Sequence, residues 1–282
     1  MNVNIFKNID SLPKFVYAYN ETSQAYIMYQ LVNKFYNKTG NGNPKTQRFF
    51  ALYFVPFTIL FLALDSQYMV DHYFDARLLV NILIIGSFFI LLNCVDGRLR
   101  KLMLVFVPLG LFGEVIFSLV LGLYEYRLAR IPLYVPFGHA AVYACGYLLH
   151  AQLWAQNNDM LMKKIFFVLF SGLFVGAGVF FGDVFSLIFG FLFFYRGLRR
   201  KQWNSLYYYV ALYVVALEFA GTYFTVWQWQ ELTLGFIPTA NPPVGAVFFY
   251  IGADSVLLRI MRFLDKKQIL TPLNGIRPDE KW

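Results

Sequence analysis

The sequence predicts an all-α polytopic membrane protein with eight transmembrane helices in two parallel four-helix repeats. Three observations support this: an apolar composition, eight long apolar segments, and a motif that occurs twice in the same order. Hydrophobic residues make up 59% of the 282 residues and charged residues 14%, whereas a soluble domain has about 45–50% and about 25%. This surplus excludes a disordered chain and a soluble domain. With only two cysteines, a disulfide-rich secreted fold is also excluded.

The eight apolar segments are defined by length. A helix needs about 20 mostly apolar residues to cross the core of a bilayer. The candidates are residues 49–64, 78–94, 102–124, 138–155, 165–181, 184–195, 206–227 and 243–258. Only Gly182 and Asp183 separate the fifth segment from the sixth, so the length alone allows a tight helical hairpin or one long broken helix.

The distribution of Lys and Arg decides between these alternatives. With a cytoplasmic N-terminus, the inner segments contain 21 Lys and Arg, and the outer loops contain 3, namely Arg77, Arg127 and Arg130. Such an excess marks the cytoplasmic side of a membrane. A single broken helix would place Arg196 to Lys201 on the wrong side. We therefore predict eight spans with both termini in the cytoplasm, in the inner (plasma) membrane of a bacterium.

The two ends of the chain are predicted to be cytoplasmic. Residues 1–48 contain no long apolar run followed by a cleavage site, so the first span is expected to act as its own insertion signal. Within them, apolar residues recur at helical spacing, which predicts a short helix on the membrane surface or packed against the bundle: Met28, Leu31, Val32 and Phe35. Residues 259–282 form a basic tail, typical of an orientation signal near anionic lipid. Nothing else in the sequence supports a nucleic-acid partner.

A motif occurs once in each half of the chain, residues 49–155 and 156–258. A Glu is followed four residues later by a hydroxyl residue, then by an aromatic–x–aromatic element, Ile-Pro, Pro-x-Gly and Tyr. The first copy is Glu114, Ser118, Tyr124-Glu125-Tyr126, Ile131-Pro132, Pro136-Phe137-Gly138 and Tyr143; the second is Glu218, Thr222, Trp227-Gln228-Trp229, Ile237-Pro238, Pro243-Val244-Gly245 and Tyr250. Four spans separate the copies, so both halves run in the same direction through the membrane.

Ionisable residues inside the spans are the candidate catalytic groups. An ionisable residue at the centre of a spanning helix costs about 2.5–3.5 kcal/mol, which makes it a functional candidate. The candidates are Glu114, Glu218, Asp254 and His139. The two glutamates lie roughly 15 Å from the outer ends of their spans, and we expect them to face each other across a pseudo-two-fold axis. The structural alternatives are protonated glutamates that only hydrogen-bond between helices, and an interfacial role for His139.

Residues that flank these acids are the candidate substrate-binding groups. They are Tyr126, Arg127, Arg130, Tyr143, Trp227, Trp229, Asn241 and Tyr250. Four aromatic residues also fit an aromatic belt at the membrane surface, namely Tyr124, Tyr126, Trp227 and Trp229. The acids and His139 have ligand types that suit a metal, but no metal-binding spacing accompanies them. Nucleotide-binding loops and zinc motifs are absent as well. We predict no metal and no cofactor.

The motif loops carry a resemblance to a known family. Trp227-Gln228-Trp229, Leu234-Gly235-Phe236-Ile237-Pro238 and Phe248-Phe249-Tyr250 resemble the small membrane lycopene cyclase domains. Tyr124-Glu125-Tyr126 with the loop that follows is similar to carotenoid hydratase-type proteins. The resemblance covers about 25 residues in each half and implies an isoprenoid substrate. The cyclases have a pair of Glu where this chain has Thr239-Ala240-Asn241 before its two prolines, so any acid must come from Glu114, Glu218 or Asp254.

Three functions remain open from the sequence. The first is a cofactor-independent lyase or isomerase that acts on a lipid or isoprenoid by acid–base chemistry. The second is a proton- or cation-coupled transporter or channel that uses the same acids. The third is a non-catalytic lipid-binding membrane subunit. The expected partners of the protein are membrane lipids and a hydrophobic small-molecule substrate.

Overall fold

The computed structural model describes residues 43–199 and 205–266 of the chain. The helices of this part are α1 (Pro44–Leu64), α2 (Gln67–His72), α3 (Arg77–Cys94), α4 (Gly97–Glu114), α5 (Tyr134–His150), α6 (Leu153–Asn157), α7 (Asp159–Phe181), α8 (Val184–Arg199), α9 (Leu206–Tyr223) and α10 (Val247–Lys266). Its strands are β1 (Tyr124–Tyr126), β2 (Trp227–Trp229), β3 (Leu232–Thr233) and β4 (Ile237–Pro238). The predicted N-terminal helix and most of the basic tail lie outside the described residues.

Five of the described helices have the length and apolar composition needed to cross a membrane. They are α1, α3, α4 with the turn that continues it (Gly97–Val120), α7, and α10 with the turn before it (Val244–Leu264). Helix α8 is apolar but shorter, over Val184–Gly197. The protein is therefore mostly α-helical and has the apolar helices of a membrane protein. Each of the eight predicted apolar segments overlaps one of the long helices, which are α1, α3, α4, α5, α7, α8, α9 and α10.

Helix α1 begins five residues before its apolar segment because of a cap. The Asn43 side-chain oxygen accepts hydrogen bonds from the backbone N–H groups of Lys45 at 3.1 Å and Thr46 at 3.4 Å. Pro44 occupies the first helical position, where its missing N–H leaves no bond unmade. The sequence therefore starts the helix in a polar stretch that hydropathy alone does not include.

The fifth and sixth apolar segments form two separate helices. Gly182 ends α7 in the left-handed conformation, with φ 65°, which a glycine adopts without strain. Asp183, fully buried, then accepts a hydrogen bond from the backbone N–H of Ser186 at 2.9 Å and so caps α8. The helices pack closely, since a Cβ on Gly190 would lie 2.4 Å from the Phe174 ring. Small residues at a helix–helix contact allow this approach.

The third and seventh segments end earlier than predicted. Helix α4 passes into a π-helical turn at Val115–Val120, and the chain then turns at Gly122, with φ 59°. Helix α9 ends at Tyr223, and Thr225 also has a positive φ of 54°. These conformations cannot continue a right-handed helix. The aromatic–x–aromatic elements, predicted at the ends of these spans, are strands instead.

Helix α5 lies at the centre of the described bundle. It contacts α1, α3, α4 and α9, and twelve of its 17 residues are buried. It packs closely against α9, since a Cβ on Gly146 would lie 2.5 Å from Cγ2 of Val210. Helix α9 also packs against α1 and α10. The elements that bear the predicted acids and His139 therefore meet around α5.

Strands β1 and β2 form an antiparallel ladder that joins the two motif copies. Its register pairs Tyr124 with Trp229, Glu125 with Gln228, and Tyr126 with Trp227. Side chains alternate along a strand, so the four aromatic residues lie on one side of the ladder, and Glu125 and Gln228 lie exposed on the other. Strands β3 and β4 form a separate short hairpin.

Candidate active site: two carboxylates in one aromatic cavity

A cavity lies between the helices around α5 and the β1–β2 ladder. The space open to the centres of water molecules is about 70 Å³. One water needs about 10–15 Å³ of such space. The cavity therefore has room for several waters or for a compact group of a larger ligand. The lining residues are Thr58, Leu62, Ile84, Glu114, Tyr124, Tyr126, Tyr134, Val135, Gly138, His139, Val142, Leu217, Glu218, Trp227, Trp229 and Tyr250.

Glu114, at the end of α4, is held by three donors. Its Oε2 accepts hydrogen bonds from the hydroxyls of Tyr124 at 2.8 Å and Tyr126 at 2.7 Å. Its Oε1 lies 2.6 Å from Nε2 of His139. The residue is 5% exposed. Both oxygens of this buried carboxyl group are therefore hydrogen-bonded within the protein.

Glu218, on α9, is held differently. Its Oε2 accepts hydrogen bonds from the indole N–H groups of Trp227 and Trp229, both at 3.0 Å. Its Oε1 makes no hydrogen bond to the part of the chain that the structure describes. Glu218 is half-buried and lines the cavity. One carboxylate is thus saturated by protein donors, and the other keeps an oxygen for a ligand.

The ladder explains why both acids receive paired donors. Residues two apart on a strand project on the same side, so each aromatic–x–aromatic element aims two polar groups at one carboxylate. The rings also pack across the ladder, with Tyr124 and Trp229 centroids 4.7 Å apart. Burial raises the pKa of Tyr124 and of Tyr126 well above the usual range, and the neighbouring Glu114 charge adds to this. Both phenols therefore remain protonated donors at neutral pH.

His139 links the first carboxylate to α10. Its Nδ1 lies 2.6 Å from the hydroxyl of Tyr250, and its side chain is 22% exposed. A neutral imidazole has one donor nitrogen and one acceptor nitrogen. A proton on Nε2 satisfies both contacts, because His139 then donates to Glu114 and accepts from Tyr250. The three groups therefore form a continuous chain of hydrogen bonds from α10 to α4.

Asp254 and Tyr143 were predicted at the site, but they form a second layer outside the lining of the cavity. The hydroxyl of Tyr143 donates to Oδ1 of Asp254 at 2.8 Å, and that of Tyr207 donates to Oδ2 at 3.1 Å. Asp254 is 2% exposed. Tyr143 lies four residues after His139, and Asp254 four residues after Tyr250. The two layers are therefore one helical turn apart on the parallel helices α5 and α10.

The predicted substrate-binding arginines also lie away from the cavity lining. Arg127 Nη2 pairs with Oδ1 of Asp65 at 3.0 Å and of Asp75 at 2.9 Å, and Arg77 Nε pairs with Asp65 at 3.0 Å. The hydroxyl of Tyr134, a cavity residue, donates to the other oxygen of Asp65 at 2.9 Å. This ion cluster of Asp65, Asp75, Arg77 and Arg127 fixes the segment after β1 to the ends of α1 and α3.

Two other predicted ligand residues lie in loops. Arg130 is exposed and does not line the cavity. Asn241 is exposed, accepts from the backbone N–H of Trp229 at 3.0 Å and also bonds the side chain of Gln228. It therefore positions β2 instead of contacting the cavity. Across the described residues, no group of three or more His, Cys, Asp or Glu side chains has a geometry that could hold a metal ion.

No protein-family model matches this sequence, and no curated protein or solved structure shows significant similarity to it.

Two tyrosines of the cavity lining were not among the predicted ligand contacts. Tyr124 was named only as part of an aromatic element, and its hydroxyl contacts Glu114. Tyr134 lines the cavity and contacts Asp65, which directly follows the first apolar segment. A signal was present for Asp65, because two of the three predicted outer arginines are its partners. An acid next to a span end and isolated arginines in the outer loops could have suggested this cluster.

Proposed function

We propose that the protein is an integral membrane enzyme that acts on a lipid or isoprenoid by acid–base chemistry in the cavity. The observation that carries this proposal is the pair of glutamates in one aromatic-lined cavity, one saturated by donors and one with an unbonded oxygen. Two environments that differ in this way separate the roles of two acids. Glu218 is the reacting acid and Glu114 the fixed charge.

The chemistry that fits is that of an isomerase or lyase without a cofactor. In an isomerisation, Glu218 in its acid form donates the Oε1 proton to one carbon of a double bond. A C–H bond on a neighbouring carbon then breaks, its electrons form the new double bond, and its proton returns to Oε1. Positive charge that develops between these steps is stabilised by Glu114 and by the aromatic side chains.

We propose further that all eight long helices cross the membrane, as two parallel four-helix halves. Helices α5 and α9 are not among the five described helices that have the length and hydropathy of a membrane span, but both have many buried residues and pack against other helices of the bundle, where polar side chains need not meet lipid. Helix, aromatic strand and helix follow one another in α4–β1–α5 and again in α9–β2–α10, where the β3–β4 hairpin is added after β2. The excess of Lys and Arg supports cytoplasmic termini in a bacterial plasma membrane. The resemblance to lycopene cyclase domains supports an isoprenoid substrate.

The test compares cellular lipids with and without an active protein. Glu218→Gln keeps the shape of the side chain but removes the titrating group, and Glu125→Gln makes the same change at an exposed position of β1. Cells that express wild-type protein or Glu125→Gln should share a change in extracted lipids or isoprenoids, and Glu218→Gln should abolish it at equal membrane expression. If the Glu218→Gln cells have the same lipid profile as the cells with wild-type protein, an acid–base role of Glu218 is contradicted.

A second candidate is proton- or cation-coupled transport, and the second acidic layer favours it. Asp254 is buried one turn from the cavity, and its hydrogen bonds to Tyr143 and Tyr207 have no part in the enzyme proposal. Transport requires ion flux across proteoliposomes that depends on both Glu218 and Asp254. The enzyme proposal requires no flux and a lipid change that survives Asp254→Asn.

A further inference from the structure

The charged groups of the cavity wall are unbalanced. Its lining contains two glutamates and one histidine, and neither Lys nor Arg is among the lining residues. The guanidinium groups of Arg77 and Arg127 are paired with Asp65 and Asp75 in the ion cluster. With both glutamates ionised, even a protonated His139 leaves the wall with a net negative charge. Such a wall favours a positive ligand and disfavours an anion.

The hydrogen-bonding groups of the wall point to the same ligand. The donors that could hold an anion are in use, since Tyr124, Tyr126 and His139 bond Glu114, and both indoles bond Glu218. The acceptor without a partner among the described residues is Oε1 of Glu218. A metal ion would find few ligands here, because both nitrogens of His139 and both oxygens of Glu114 are bonded. Metal ions need several ligands at once.

The remaining wall is aromatic and aliphatic. Six aromatic side chains, those of Tyr124, Tyr126, Tyr134, Trp227, Trp229 and Tyr250, and five aliphatic ones, those of Leu62, Ile84, Val135, Val142 and Leu217, line the cavity. Aromatic rings attract organic cations, and an alkylated ammonium group loses less hydration on burial than a small ion does. The volume of about 70 Å³ suits a compact head group and not a long chain.

We infer that the cavity binds an apolar molecule through a compact positive charge, such as a tertiary or quaternary ammonium group, with Oε1 of Glu218 as the counter-ion. The inference rests on the cavity of the proposed function. Once Glu218 has given up its proton, its ionised Oε1 faces the positive charge that the proposed reaction develops, and a fixed ammonium group takes the place of that charge. The charged group occupies the aromatic cavity, and the apolar part of the ligand extends from it toward the membrane.

A matched pair of ligands tests this inference. Hexyltrimethylammonium and 2,2-dimethyloctane have the same heavy-atom shape and differ in one nitrogen and its charge, and hexanesulfonate supplies the opposite charge. Binding is measured by tryptophan fluorescence on the purified full chain in uncharged maltoside micelles, because Trp227 and Trp229 lie in the wall. We expect the cation to bind at least tenfold more tightly than the neutral isostere, and the sulfonate to show no saturable binding.

Two variants test whether Glu218 is the cause of the preference for the cation over the neutral isostere. Glu218→Gln should reduce the cation-to-isostere ratio toward one, and Glu125→Gln should leave it at the wild-type value. Equal binding of cation and isostere by the wild-type protein would overturn the inference without any variant. So would equal ratios in the two variants. Neither result touches the enzyme proposal, which depends on the lipid change alone, and a retained cation preference without a lipid change would contradict only that proposal.

Discussion

Tyr126 and Trp227 are direct partners across the β1–β2 ladder, yet their polar groups bind different carboxylates. The Tyr126 hydroxyl donates to Glu114 at 2.7 Å, and the Trp227 indole donates to Glu218 at 3.0 Å. The same holds for the other aromatic pair of the ladder. The ladder therefore ties the two acidic helices to each other, so a change at either strand should be felt at both acids.

Removal of a phenol hydroxyl should destabilise the protein through Glu114. Tyr126→Phe takes one of three donors from a buried carboxylate, and hydrogen bonds to charged groups contribute about 1.5–3 kcal/mol each. We expect a loss of this size in the free energy of unfolding, measured by chemical denaturation in micelles. Tyr68→Phe is the control, because Tyr68 is 60% exposed. Equal stability of the two variants would show that the Glu114 contact is not energetically important.

A methyl group at Gly221 should disturb the Glu218 side of the ladder. A Cβ there would lie 2.0 Å from Cη2 of Trp227, whose ring is fixed by its bond to Glu218. Gly221→Ala is expected to lower the free energy of unfolding by about 1–3 kcal/mol and to weaken cation binding. Gly86→Ala has open space around it, so it should be neutral or stabilise α3 by about 0.5–1 kcal/mol. Thermal unfolding followed by circular dichroism distinguishes them, and similar shifts for both variants would contradict the tight contact.

The ion cluster should give a contribution to stability that is lost in acid. Burial raises the pKa of Asp75, but hydrogen bonds from the Arg77 backbone and from Arg127, together with their charges, outweigh it and lower the pKa below 3.8. A carboxylate whose pKa is lowered by folding stabilises the folded state at pH values above its pKa in the unfolded chain. This contribution disappears as the pH falls through its pKa in the folded protein.

Asp75→Asn should therefore lower the melting temperature at pH values above 3.8, and this difference should shrink as the pH falls below 3.8. Because Asp75 is 44% exposed on its side chain, the effect should also shrink at high salt. Asp71→Asn is the matched control, because Asp71 lies near the end of α2, four residues before Asp75. A constant difference between wild type and Asp75→Asn at every pH would rule out titration of this group as the cause.

The proposed orientation predicts which loops an impermeant reagent reaches. Leu234, in the β3–β4 hairpin, is 51% exposed, and Leu153, the first residue of α6, is 78% exposed. In intact cells, a maleimide that cannot cross membranes should label Leu234→Cys and should label Leu153→Cys only after permeabilisation. Cys94 is replaced by Ser in both, because it is partly exposed. If only Leu153→Cys is labelled in intact cells, the orientation is opposite to the proposed one.

The sequence predicted most of the helices because hydropathy is a property of each segment by itself. It also selected Glu114, Glu218, His139 and Tyr250, all of which line the cavity. It could not predict that Asp254 lies a turn away, since depth along one helix does not say which neighbour faces it. Nor could it predict the ladder: β1 and β2 are about 100 residues apart, and three-residue strands have no periodicity to detect.

The π-helical turn at Val115–Val120 has a consequence for how the two halves of the chain compare. Ten positions separate Glu114 from Tyr124, but nine separate Glu218 from Trp227. In a regular helix one additional residue would rotate all that follows by about 100°, whereas a wider turn absorbs such an insertion locally. The two motif copies therefore share the direction in which the strand faces the glutamate, and not the number of residues between glutamate and strand. An alignment of the two halves places its one-residue gap within this turn.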